Sequence, residues 1–212
     1  MAVQRREHGH RKGGGVMACE HASAEPKPEW MQTFTGRKFY PMAPAAEDVD
    51  IVDIAHALSL QCRFNGHVDH FFSVAEHCIL MSQSVPAEDA LWALLHDATE
   101  AYVGDMISPL KHSMPEFAAA EDRVMDAICE RFGLEPGMPD AVHDADRRIL
   151  LTERNALMSR TSQPWDADAL TPLRVTVIGL APHAAEARYL QRFHELAGTS
   201  LVSAAQQSTE ER

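Results

Sequence analysis

The chain has 212 residues, 45% of them hydrophobic, which is enough to bury a core and excludes a chain disordered throughout. A formal net charge of −12 with a pI near 5.4 excludes a protein whose main task is gripping nucleic-acid backbone, since that needs Lys and Arg in excess. Four cysteines without a C-x-x-C spacing argue against a zinc ribbon or a disulfide scaffold and fit a reducing cytoplasm, and no apolar run approaches a membrane span.

In chain order, residues 1–28 mix glycine, proline and charge and read as a disordered leader. Its basic start, MAVQRREHGHRKGGG, is followed by polar sequence rather than the apolar stretch of a secretory signal. The folded domain is expected over 29–198, with a second loose tail over 199–212. The spacing of Val52, Ala55 and Leu58 or Ser59 predicts a short helix over 48–62, behind an Asp that can cap it. Phe71, Val74, Cys78 and Met81 form one stripe of a second helix over 70–84, with His77 beside it.

Pro86 opens a third helix over 87–102, with Glu88 and Asp89 in its first turn and Leu91, Leu94, Leu95 and Ala98 as its apolar side. Glu100, four residues after His96, falls on the same face, and Asp105 follows Gly104 as the helix ends. Pro115 introduces a helix over 115–132 closed by Gly133, and another runs over 139–160. The β-rich stretch RVTVIGL, 174–180, reads as an extended connector before a last helix over 181–197. Strands are too few for an α/β fold, so the fold class is all-α, an irregular helical bundle.

His96-Asp97 is half of a metal site set in an apolar helix. The dipeptide alone is close to chance, and a second copy, His143-Asp144, stands on the 139–160 helix, where a solvated helix surface explains it. His77, His96, Asp97 and an Asp from the 139–160 helix would bring two imidazoles and two carboxylates inward from three helices, an octahedral set with room for water. Such a donor set suits one divalent ion, Mn, Co, Fe or Mg better than Zn.

The order R-F at 63–64, A-E-H at 75–77, L-L-H-D-A-T-E-A-Y-V-G-D at 94–105 and D-A-D-R-R-I-L at 144–150 resembles the HD-domain phosphohydrolase superfamily, and within it the branch of bacterial 5′-deoxynucleotidases and related phage-type proteins. The resemblance covers about residues 33–160 and implies an HD-type helical bundle. It places the metal on His77, His96, Asp97 and Asp146, the last preferred to Asp144 because Ala145-Asp146 fits the family pattern. It makes Glu100 the group that orients or deprotonates the attacking water, and Asp105 a residue that positions substrate or assists as an acid. Arg63 matches an Arg that contacts phosphate, a task suited to a planar, permanently charged fork. Phe64 stands where the deoxynucleotidases have a Trp that shapes the sugar pocket, and Lys111 is a second phosphate candidate.

The function that follows is a metal-dependent phosphohydrolase that releases phosphate from nucleoside 5′-monophosphates by attack of a metal-activated water. The alternatives are a phosphodiesterase on a cyclic or oligomeric nucleotide, and a non-catalytic nucleotide-binding regulator with the same pocket. The partner expected is a small phosphorylated substrate, with no membrane and no stable nucleic-acid complex, and the apolar helical surface suits a homodimer.

Overall fold

Asp50 begins the first helix: its carboxylate accepts the Val52 N–H at 2.9 Å, and α1 runs Ile51–Leu60, inside the 48–62 expected. The computed structural model describes residues 29–210, with side chains described as far as Gly198; the leader expected over 1–28 lies outside the described residues. Ahead of α1 stands a small antiparallel hairpin, β1 Met31–Gln32 and β2 Lys38–Phe39. It is tied down by Asp53, whose carboxylate accepts the Thr35 N–H at 2.7 Å and the Thr35 hydroxyl at 2.9 Å. Phe39, fully buried, stacks on Tyr102 with ring centres 4.0 Å apart.

Ser73 caps α2, Val74–Ser82, by accepting the Glu76 N–H. Phe71 therefore precedes the helix, and the stripe expected over 70–84 understates its burial: every residue of α2 except Leu80 is buried. The reason is position, since α1, α3, α7 and α8 all pack against it.

The continuous helix expected over 87–102 does not form. A 3-10 turn over Ala87–Asp89 leads into α3, Ala90–Leu95; a turn over 96–99 follows, and then α4, Glu100–Val103. Through the break the backbone bonds reach back three residues, Ala98 N–H to Leu95 O at 2.9 Å and Glu100 N–H to Asp97 O at 3.0 Å. After a short α5, Ser108–Lys111, come α6, Pro115–Phe132, and α7, Asp140–Leu157. Pro115 opens α6 and Gly133, left-handed at φ 67°, closes it, as the sequence reading has it.

RVTVIGL is an extended connector with no strand partner among the described residues. It is held by Glu76, a carboxylate only 2% exposed, which accepts the N–H groups of Ile178, Gly179 and Leu180 at 3.2, 3.2 and 2.6 Å. The last helix, α8, spans Pro182–Glu210, continuing as backbone past the boundary at 197 and into the tail expected over 199–212. Its buried residues Ala185, Tyr189 and Phe193 join Ile54, Leu58, Val74, Leu94, Leu95 and Ile128 in one core. A second cluster, Met81, Trp92, Cys129, Val142 and Ile149, packs α7 against α2 and α3. The architecture is the all-α, irregular bundle expected. Among the described residues no helix is long and apolar enough to cross a membrane.

Candidate metal centre

Four side chains from three regions of the fold converge at one point. His77 Nε2, from α2, lies 3.1 Å from His96 Nε2, 3.6 Å from Asp97 Oδ2 and 3.5 Å from Asp146 Oδ1 of α7. His96 Nε2 is 3.4 Å from Asp97 Oδ1 and 3.9 Å from Asp146 Oδ1. Donors about 2.1 Å from a common ion stand about 3.0 Å apart at right angles and about 3.4 Å apart at the tetrahedral angle. The observed separations fall close to that range.

The tautomers strengthen the argument. His77 Nδ1 donates to Glu153 Oε1 at 2.6 Å, and His96 Nδ1 donates to the Ala93 carbonyl at 2.7 Å. Each neutral ring has then used its one N–H, so two Nε2 lone pairs face one another across 3.1 Å with two carboxylates alongside. Two acceptors at that distance repel unless a positive charge is shared between them. The residues present therefore fit a cation, and one held by nitrogen and oxygen.

Between α3 and α4 the backbone keeps right-handed helical dihedrals at His96 (φ −60°, ψ −33°) and Thr99 (φ −59°, ψ −33°) but tightens to bonds reaching back three residues. His96 and Asp97, neighbours in this turn, both place a ligand atom near His77 Nε2. Glu100, which follows the turn, is 7% exposed, and its Oε2 is buried with no hydrogen-bond partner. Burial, then the charges of Asp97 and Asp105, hold its carboxyl well above the usual range. Asp97 is pulled the other way: burial opposes its charge, but positive charge at the His96 and His77 position, followed by Arg63 and Lys111, outweighs it and keeps the carboxyl low.

Cys78 follows His77, and its Sγ lies within 4.8 Å of ligand atoms on His96 and Asp97. A thiol binds metal as the thiolate, and burial together with Asp97 and Glu100 pushes this thiol well up. The imidazole and carboxylate set is the better donor group.

Arg63 is almost buried. Its Nε and Nη2 both donate to Glu153 Oε2 at 3.2 Å, and Nη1 lies 3.7 Å from Asp97 Oδ2. Burial disfavours the guanidinium charge, yet Glu153 and then Asp97 overcome this and hold the proton more firmly than usual. Phe64 follows with φ 53°, left-handed for a bulky residue, and Arg63 stands 5.6 Å from its ring centre. Asp105 is exposed on the loop after Gly104. Lys111, expected as a second phosphate candidate, pairs with Glu121 at 2.8 Å, and its charge also acts on Glu100 and Asp97. Asp144 pairs with Arg148 on the helix surface, as expected of a solvated residue, and His143 is exposed.

Sequence reasoning missed Glu153. It is fully buried and joins the His77 ring to the Arg63 guanidinium through one carboxylate; burial opposes its charge, but His77 and Arg63 hold the carboxyl below the usual range. The available signal was its spacing, seven residues after Asp146 and thus two turns along the same face of α7. Glu76, quoted only as part of A-E-H, holds the 178–180 connector.

A profile of the HD domain matches residues 58–162, a span containing all of these site residues. An uncharacterised Escherichia coli protein, YfdR, is 41% identical over 169 residues, covering 79% of this chain and 95% of its own length. An uncharacterised protein of Rhodobacter capsulatus is 32% identical over 189 residues, covering 80% of this chain and 96% of its own length.

Proposed function

Because this chain belongs to the HD-domain superfamily, whose members are generally metal-dependent phosphohydrolases, we propose that it releases inorganic phosphate from nucleoside 5′-monophosphates by direct attack of water. The observation that carries the reading is the pair of facing Nε2 atoms of His77 and His96, 3.1 Å apart and flanked by Asp97 and Asp146. These four residues would hold one divalent ion, of the Mn, Co, Fe or Mg type before Zn. When bound, the ion supplies positive charge to a phosphoryl oxygen and to the attacking water.

The chain's own residues do the rest. Arg63, its charge held by Glu153, offers the Nη1 edge nearest Asp97 to a phosphate oxygen. Glu100 takes a proton from the attacking water and returns one to the leaving oxygen, for which a carboxyl held above its usual range is suited. Asp105, on the exposed loop beyond Gly104, faces the organic part of the substrate. No covalent intermediate is required.

Two variants test the assignment. Asp97→Ala should lose metal and phosphate release together. Glu100→Ala should keep the metal while kcat falls by about 10²- to 10⁴-fold. Metal content by elemental analysis and phosphate release from a nucleoside monophosphate panel would be the measurements; full turnover in Glu100→Ala would overturn its role.

A further inference from the structure

We propose that Trp165, together with Phe64, forms the platform on which the planar ring of the substrate stacks, so that the site selects phosphoesters carrying a nucleobase-like group. The inference rests on the phosphohydrolase reading above and names the substrate class of that site. Trp165 lies three residues beyond the segment matched by the HD-domain profile, which ends at residue 162.

A continuous path leads to it from the metal centre. Asp97 Oδ2 is 3.7 Å from Arg63 Nη1, Arg63 stands 5.6 Å from the Phe64 ring centre, and that ring is 6.4 Å from the ring of Trp165. The two rings are tilted at 58° and sit at the long end of the range for ring contact, so neither is satisfied by the other's face. Both side chains are half-buried.

Each ring is held in place by its neighbours. Phe64 and Asn65 adopt φ 53° and 52°; Asn tolerates this left-handed region, but for the bulky Phe64 it is a strained conformation of the kind that tends to persist where it positions a functional side chain. The turn is braced by Arg63 N–H to Phe72 O at 2.9 Å and His67 N–H to Phe64 O at 3.0 Å. Trp165 donates its backbone N–H to Asp168 at 2.8 Å, Asp168 pairs with Arg154 at 2.6 Å, and the Arg154 guanidinium covers the indole at 4.9 Å. Arg154 is the neighbour of Glu153 on α7, so the helix that braces the metal centre also braces the platform. Stacking on such a ring favours any nucleobase and adds nothing for a substrate that ends at the sugar.

The test compares phosphate release from nucleoside 5′-monophosphates and from ribose 5-phosphate in wild type, Trp165→Ala and Trp165→Phe. Trp165→Ala should lower kcat/KM about tenfold for the nucleotides, mostly through KM, leave ribose 5-phosphate unchanged, and be rescued largely by Trp165→Phe. Equal losses on both substrates, or no loss on either, overturn the platform. If wild type releases phosphate from neither, the nucleoside-monophosphate reading falls, and fluorescence still decides the platform. A nucleoside monophosphate should quench wild-type emission excited at 295 nm, ribose 5-phosphate should not, and the quenching should vanish in Trp165→Phe, in which Trp30 and Trp92 remain; absence of quenching overturns it.

Discussion

Glu153 shows how one buried carboxylate can set two functional groups at once. It fixes which nitrogen of His77 is free, and it neutralises an arginine that would otherwise be costly to bury. Glu153→Ala should weaken divalent-metal affinity about 10- to 100-fold, with Glu153→Gln in between because it keeps the shape and loses the charge. Competition against a metal-binding dye would measure it, and unchanged affinity in Glu153→Ala would reduce the residue to packing. The chain carried only a weak signal of this role, the seven-residue spacing from Asp146, since a Glu on an amphipathic helix is usually solvated. Only the fold puts it opposite α2 and not toward water.

At the scale of elements, two departures from regularity stand out in the fold. The first is the turn over 96–99. Leu, Ala and Trp at 90–95 and Ala98 read as one helix because the apolar period continues through the break. The second is the connector 174–180, which hydrophobic alternation alone leaves between strand and coil and which Glu76 draws onto α2. Its tightest point is Gly179, at φ +79°, where an added Cβ would meet His70 Cδ2 at 2.6 Å and the Phe71 carbonyl oxygen at 2.9 Å. Gly179→Ala should therefore cost about 1–3 kcal/mol through backbone strain and crowding, read as a drop of several degrees in thermal unfolding. A melting temperature equal to wild type would mean that the connector yields freely.

For the molecule as a whole, α8 closes the bundle over α1, α2 and α3. Tyr189, fully buried, donates its hydroxyl to the Leu94 carbonyl at 2.8 Å, next to the break that carries His96. Tyr189→Phe should cost about 1–3 kcal/mol by leaving that carbonyl without its partner. Burial holds the Tyr189 phenol well above its ordinary value. Because the folded value is raised, the stability it contributes is complete below the unfolded value of about 10 and is lost as pH climbs from there toward the folded value. Alkaline unfolding profiles should consequently be shallower in Tyr189→Phe than in wild type; parallel profiles would show that the phenol does not contribute.

The sequence by itself determined the helical class and the bounds of α6, because apolar period and caps are local properties. Residue chemistry pointed to His77, His96, Asp97 and an Asp of α7, and the resemblance to HD-domain proteins singled out Asp146 and Glu100. Only the tertiary structure decided that the helix carrying His96 breaks, that two Nε2 lone pairs confront each other, that Arg63 is held by Glu153, and that Trp165 stands beside Phe64. Each of these joins residues distant in sequence or breaks a local pattern in favour of a nonlocal contact, and burial and the direction of a hydrogen bond exist only once the elements have packed.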